Sequence, residues 1–206
     1  MNCGANELSD IELVAMLLPS TGKRSPHDLA TSLIVEFGSL RALLTANRES
    51  AAKRGLSEVA FTNLQAALEL TRRHYGELMM AGPTLTNPRS TREYLRMQLR
   101  DLPYEVFAII YLDNRNRVIK YSELFRGTID GATVHPREVV KEALANNAAA
   151  VILAHNHPSG VAEPSQADEL ITRRLKESLS VVDIRVLDHL VVGDGCVESF
   201  AERGLL

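Results

Sequence analysis

Apolar side chains recur at helical spacing through the first 80 residues. Leu29, Leu33 and Phe37 are four residues apart and precede Gly38, which is the pattern of a helix that buries one face and ends at a glycine. Ser25, followed by Pro26, supplies the start of this helix. Other helical signals in the segment are the capping box of Ser9 and Glu12 before 11–18, the helix start at Ser39, and the stripe of Leu56, Phe61, Leu64 and Leu68.

The pattern changes after residue 83 to alternating strands and helices. Two β-rich runs, 105–112 and 117–124, flank the polar sequence D-N-R-N, which predicts a hairpin. The segments that follow predict helices over 136–147 and 165–179 and strands over 150–154, 181–187 and 190–192. We therefore expect a helical domain over 1–82, a linker at Ala81-Gly82-Pro83, and over 84–206 an α/β domain with a mixed sheet flanked by helices.

Composition places the chain among ordinary soluble globular proteins. Of its 206 residues, 45% are hydrophobic and 24% are charged. Cys3 and Cys196 are too few for a disulfide framework, and no run resembles a signal peptide or a membrane span. These features predict a cytoplasmic protein without a membrane partner. The chain also begins abruptly, as though a longer N-terminal region were shortened.

Charge gives no general attraction to nucleic acid, because the net charge is −3. It is nevertheless patterned: Arg89, Arg92, Arg96 and Arg100 would line one face of a helix. This face is either simply solvated or a contact surface for an acidic partner or a phosphate backbone.

The strongest candidate for chemistry is the segment from His155 to Asp168. His155 and His157 are two residues apart in an extended segment, so both side chains face the same side. Ser165 and Asp168 fall on the first turn of the next helix. Two imidazoles and a carboxylate can hold one zinc ion and leave its fourth position for water, which is typical of a hydrolytic site. The alternative is that Ser165 and Asp168 only form a capping box, with incidental histidines nearby.

These residues carry a resemblance to a known family. H-N-H-P followed by S-Q-A-D resembles the JAMM (MPN+) signature, and V-H-P-R-E-V-V-K-E-A-L, A-H-N-H-P-S-G and V-L-D-H-L-V-V-G are similar to the bacterial RadC family. The resemblance implies a cytidine-deaminase-like JAB/MPN fold. It also implies that His155, His157 and Asp168 bind one zinc ion per chain, and that a glutamate from an earlier strand completes the site.

That glutamate is predicted to be Glu123, late in a strand upstream of the histidines, where a glutamate is locally unfavoured. Glu123 would act as the general base, and Ser165 would donate a hydrogen bond to the oxyanion. Glu138 and Glu142 lie in a predicted helix, and Glu163 lies in a loop. The remaining histidines are interpreted as structural or as supports of the ligands (His135 and His189), or carry no motif (His27 and His74).

The front segment resembles the helix-hairpin-helix region that precedes the RadC catalytic domain. Its turn reads Gly55-Leu56-Ser57, so the second glycine of a phosphate-contacting turn is absent, and a plain helical docking module is the alternative to DNA binding.

The function predicted first is a zinc-dependent hydrolase that cleaves a peptide or isopeptide bond in an unidentified peptide or protein substrate. The alternatives are a DNA-associated protein that uses the N-terminal helices, and a non-catalytic scaffold. The chain contains no H-E-x-x-H and no P-C-x-x-C, which excludes zincins and zinc nucleobase deaminases on motif. The sequence leaves the oligomeric state open.

Overall fold

The computed structural model describes residues 4–20, 24–80, 88–127 and 133–206. Contacts divide the chain into two compact units, Met1–Arg73 and His74–Leu206, so the boundary lies inside one helix, α5 (Glu58–Met80). The predicted linker at 81–83 lies outside the described residues, and the division at that point stays a prediction.

The first unit is helical, as predicted. Its hydrophobic core includes Leu33, Leu43 and Leu64, each almost completely buried. Helix α1 begins with the predicted capping box, in which Glu12 accepts from the Ser9 amide at 2.8 Å. The helices before α5 are a short 3-10 turn (Ala5–Glu7), α1 (Asp10–Leu17), α2 (Pro26–Phe37), α3 (Leu40–Leu44) and α4 (Arg48–Lys53).

The turn between α4 and α5 shows what Ser57 does in place of a second glycine. Gly55 adopts a φ of 81°, which a glycine tolerates without strain. Leu56 is buried in the helical core, and the Ser57 hydroxyl accepts from the Ala60 amide at 3.2 Å. Ser57 therefore caps the start of α5. Nucleic-acid binding by these helices stays a prediction.

The second unit is built on a mixed five-stranded sheet in the order β2-β1-β3-β4-β5. β1 pairs antiparallel with both β2 and β3, β3 pairs parallel with β4, and β4 pairs antiparallel with β5. The predicted mixed α/β fold is confirmed. Its elements are α6 (Pro88–Leu99), β1 (Val106–Leu112), β2 (Val118–Arg126), α7 (Pro136–Ala145), β3 (Ala150–Asn156), α8 (Gln166–Ser180), β4 (Arg185–Val192) and β5 (Val197–Ser199).

Helices cover both faces of this sheet, which explains why β1 and β3 are buried along their whole length. Residues of α6 such as Leu95 and Leu99 pack on one face with Ala108 of β1. Val139 of α7 and Leu175 of α8 pack on the other face. Alternate residues of the central strands thus enter different cores, so the face to which a side chain belongs decides whether it can reach the histidines.

Two strand predictions differ from the structure. The strand predicted over 150–154 continues to Asn156, because His155 and Asn156 still pair with Val191 and Val192 of β4. The Asn156 side chain also bonds to the chain at the start of β1: its oxygen accepts from the Val106 amide at 2.8 Å and its nitrogen donates to the Tyr104 carbonyl at 3.0 Å. The strands predicted over 181–187 and 190–192 are one strand, β4, which begins only at Arg185.

The arginine face of α6 is largely paired with acids of the same chain. Arg92 forms an ion pair with Glu202, and Arg100 forms ion pairs with Asp101 and Asp194. Arg96 lies 3.6 Å from Glu93. These contacts favour a structural and solvated role over a phosphate-binding surface.

Within the described ranges, no helix combines the length and the apolar character that crossing a bilayer requires.

Candidate metal centre

The two histidines lie where β3 ends, in the middle of the sheet. His155 is in register with Phe107 of β1 and Val191 of β4, and its side chain is only 1% exposed. His157 follows the strand, and its amide still donates to the Val192 carbonyl at 3.0 Å. This bond keeps the segment extended through His157, so both rings face the same side, with their Nε2 atoms 3.0 Å apart.

Asp168 reaches the histidines because a capping box orients it at the start of α8. Its Oδ2 accepts from the Ser165 amide at 2.7 Å and from the Ser165 hydroxyl at 2.6 Å. Its Oδ1 lies 3.2 Å from His155 Nε2, and its Oδ2 lies 3.5 Å from His157 Nε2. The two interpretations of S-x-x-D are thus compatible, since the cap holds the carboxylate that faces the histidines.

The separations between these donor atoms suit a tetrahedral metal ion. Bonds of roughly 2.0–2.1 Å around a tetrahedral zinc place neighbouring ligand atoms about 3.3 Å apart. The two Nε2 atoms are 3.0 Å apart and Asp168 Oδ1 lies 3.2 Å from His155 Nε2, which is close to that value. The second carboxylate oxygen, Oδ2, lies 3.5 Å from His157 Nε2. Among the described residues, His155, His157 and Asp168 form a cluster able to bind a metal ion.

A hydrogen bond behind His157 prepares this ring for a metal. His157 Nδ1 lies 2.7 Å from the Val161 carbonyl oxygen. Because a carbonyl only accepts, Nδ1 carries the proton and donates, which leaves a lone pair on Nε2 in the neutral ring. This tautomer is the one that binds a metal through Nε2.

The electrostatics of the site follow from its burial and mutual pairing. Burial alone would raise the pKa of Asp168, but the hydrogen bonds that the rings of His155 and His157 donate in their protonated form outweigh it and lower that pKa. The hydrogen bond to Asp168 raises the pKa of His157 despite partial burial, and the charge on Glu105 adds to this. The carboxylate is therefore anionic, as a metal ligand must be.

Glu105 is a functional candidate that sequence reasoning missed. It is half-buried and lines a cleft of about 430 Å³ together with His157, Asp168 and Ser165. The register pairs Phe107 with His155, so the residue two places before Phe107 lies across from His157. A usable signal was its position at the start of a buried β-run, but the pairing of that run with β3 was not visible in the sequence.

Glu123 lies on the other face of the sheet. It does lie in a strand, β2, where it is in register with Ala108, whose side chain belongs to the core under α6. Its carboxylate lies 3.0 Å from Arg126, and its charge acts on Tyr94 and Tyr121 of the same side. The structure does not bring Glu123 to the histidines, because alternate residues of a strand point to opposite faces.

Glu138, Glu163 and His135 make contacts outside the cluster of His155, His157 and Asp168. Glu138 lies 3.4 Å from Lys141, and Glu163 forms an ion pair with Arg203 at 2.6 Å. His135 caps α7 without a side-chain bond and packs its ring against Phe125. In contrast, His189 touches the site directly.

Comparison with known proteins identifies the class and then the family. An α/β fold with two histidines after a central strand and an aspartate at the next helix start defines a metal-site domain of JAMM type. The model of the RadC-like JAB domain matches residues 85–205. The chain belongs to this family, which is one of JAMM-type metal-dependent hydrolases.

The similar proteins span almost the whole chain. A UPF0758 protein of Nitrosococcus oceani is 59% identical over 205 residues, which cover 98% of this chain and 92% of that protein. A UPF0758 protein of Thioalkalivibrio sulfidiphilus is 60% identical with the same coverage. A UPF0758 protein of Cellvibrio japonicus is 58% identical over 209 residues, which cover 100% of this chain and 93% of that protein.

Proposed function

We propose that this protein is a zinc-dependent hydrolase that cleaves a peptide or isopeptide bond. The observation that carries the proposal is the convergence of His155, His157 and Asp168 at the separations of a tetrahedral site beside an open cleft. When bound, the ion would supply a hydroxide at neutral pH and polarise the carbonyl of the scissile bond.

Glu105 is the residue that best fits the general base. Its half-buried carboxylate shares the cleft with His157, so it can accept the proton of a water there and return it to the leaving nitrogen. Glu123 was predicted for this role, but its carboxylate lies on the opposite face of the sheet. Direct proton transfer needs a heavy-atom approach of about 3 Å or one bridging water, which a β-sheet between the groups prevents.

Ser165 serves first to orient Asp168 and, in our proposal, also to stabilise the oxyanion. Its hydroxyl donates to Asp168 Oδ2 at 2.6 Å, so it must turn towards the substrate to donate there. Ser165 lines the cleft, where the carbonyl of a bound substrate would lie.

The cleft suits an extended peptide segment. Phe107, Val134 and Ile171 give it an apolar lining, and Leu170, which is 55% exposed, adds to this lining. Arg174 lines the same cleft and would meet an acidic side chain or a carboxylate of the substrate. This lining is consistent with a peptide or protein partner, and we propose that class of substrate without naming one.

The test compares two matched variants, Glu105→Gln and Glu123→Gln, after zinc analysis and a screen of fluorogenic peptide and isopeptide substrates. We expect about one zinc per chain in the wild type and in both variants. Turnover should fall by roughly 10²–10⁴-fold in Glu105→Gln and stay near wild type in Glu123→Gln. A protein that cannot bind zinc would refute the proposed function, and the reverse order of the two variants would refute the role of Glu105.

A further inference from the structure

The buried ring of His189 lies directly behind His155. His189 Nε2 is 2.8 Å from His155 Nδ1, and His189 Nδ1 is 2.6 Å from the Thr172 hydroxyl. The Thr172 hydroxyl in turn is 2.5 Å from the backbone carbonyl oxygen of Asp168. These contacts form one chain of hydrogen bonds from a ligand on β3, through β4, to the helix that carries another ligand.

The carbonyl at the end of this chain determines the direction of every bond in it. A carbonyl oxygen only accepts, so the Thr172 hydroxyl donates to Asp168 and must itself accept from His189. His189 therefore carries its proton on Nδ1. In a neutral ring, its Nε2 then accepts from His155 Nδ1, which leaves the lone pair of His155 on Nε2, where the metal cluster lies.

Burial keeps the His189 ring neutral. The ring is fully buried between Phe107 and Phe200, whose ring centroids lie 5.5 Å and 4.7 Å from its own. A charged imidazole in this position would be poorly solvated, since among the described residues the hydrogen-bond partners of the ring are His155 and Thr172 and not a carboxylate. The opposite bond direction would need a proton on His189 Nε2, which would move the His155 proton to the nitrogen that binds metal.

We infer that His189 and Thr172 are positioning residues that hold His155 in its metal-binding tautomer. The inference rests on the metal site of the proposed function and not on hydrolysis. It gives a role to His189, which is 34 positions from His155 in the chain, and to Thr172, which is 17 positions from His189. Neither His189 nor Thr172 lines the proposed substrate cleft. These hydrogen bonds connect His155 on β3 to Asp168 on α8, in addition to the connection that a shared metal ion would provide.

The experiment uses the full chain and two readouts. Imidazole nitrogen NMR of the metal-free and zinc-loaded wild type reports each tautomer directly, and competition with a chromophoric chelator reports zinc affinity. We expect His189 and His155 both protonated on Nδ1 in the zinc-loaded protein. A proton on Nε2 of His189 in that form would overturn the inference.

The variants separate hydrogen bonding from stability. Thr172→Val removes the hydroxyl at almost constant volume, and we expect zinc affinity to fall about 10- to 100-fold. Thr172→Ser keeps the hydroxyl and should restore wild-type affinity. Thr91→Val on α6 is the matched control, because Thr91 is also a buried helical threonine but lies on the other side of the sheet.

The outcomes are distinct from those that test the proposed function. Equal affinity in Thr172→Val and Thr91→Val would overturn the inference while leaving the zinc site intact. A wild type that binds no zinc would refute the proposed function, but the tautomers of its metal-free form would still test the chain of hydrogen bonds. If Thr172→Val does not fold, the tautomers of the wild type decide.

Discussion

The two histidines of the proposed metal site should differ in what they contribute to the metal-free fold. His155→Ala removes a ring that is 1% exposed, and it leaves both a cavity and an unpaired acceptor on the buried His189. A cavity left by a buried side chain of this size costs about 2–4 kcal/mol, and an unpaired buried acceptor adds roughly 1–3 kcal/mol. We therefore expect His155→Ala to lower the free energy of unfolding by on the order of 3–7 kcal/mol.

His157→Ala should have a much smaller effect on that free energy. Its side chain is 19% exposed, and its ring makes its backbone hydrogen bond to the nearby Val161 carbonyl in a surface loop. Loss of this bond and of partial packing costs about 1 kcal/mol. Both variants should nevertheless lose zinc, since each removes one of three protein ligands.

The assay is urea denaturation of chelator-treated protein, followed by circular dichroism, with a zinc titration of each variant in parallel. His27→Ala is the matched control, because His27 is exposed on α2 and should alter neither quantity. Equal destabilisation by His155→Ala and His157→Ala would refute the structural reasoning. Retention of tight zinc binding by either variant would refute the ligand assignment.

Two further predictions concern the core and the loop after His157. The Tyr111 hydroxyl is buried, and within the described part of the chain it has no hydrogen-bond partner. Tyr111→Phe should therefore raise the free energy of unfolding, measured by urea denaturation, by about 1 kcal/mol. A lower free energy of unfolding in the variant would show that the hydroxyl does have a partner. A Cβ on Gly193 would lie 2.6 Å from the Gly160 carbonyl oxygen and the Ala162 amide nitrogen. Gly193→Ala should therefore displace this loop and weaken zinc binding, measured by chelator competition. Gly195→Ala is the control: no atom lies within 4 Å of its Cβ site, so this variant should show the effect of backbone strain alone. Equal zinc affinity in the two variants would contradict the prediction.

Local sequence patterns were sufficient to predict the cluster of His155, His157 and Asp168. His155 and His157 share a side because alternate residues of an extended segment do so, and this depends on nothing outside the segment. Ser165 and Asp168 are three residues apart at a helix start, so the capping box that orients Asp168 is also local. The predicted helices and the β1–β2 hairpin were confirmed for the same reason, since each has its own periodicity and its own turn or cap.

The glutamate that shares the cleft with His157 could not be predicted in this way. Glu105 and Glu123 both lie in or beside predicted strands, and nothing local says which strand borders β3 or which face each side chain joins. The pairing of Phe107 with His155 places Glu105 across from His157. The pairing of Ala108 with Glu123 places Glu123 on the sheet face that α6 covers. Strand order and register depend on the burial of both sheet faces at once, which is a property of the assembled fold.

The sequence by itself thus determined the cluster of candidate ligands, because its geometry is set by backbone conformation over a few residues. Only the tertiary structure decided the surroundings of those ligands. Glu105, which directly precedes β1, and His189 of β4 are far apart in the chain, and both are brought to the site by the order β1-β3-β4 in the sheet. Contacts of this kind follow from long-range packing, which short sequence patterns do not encode.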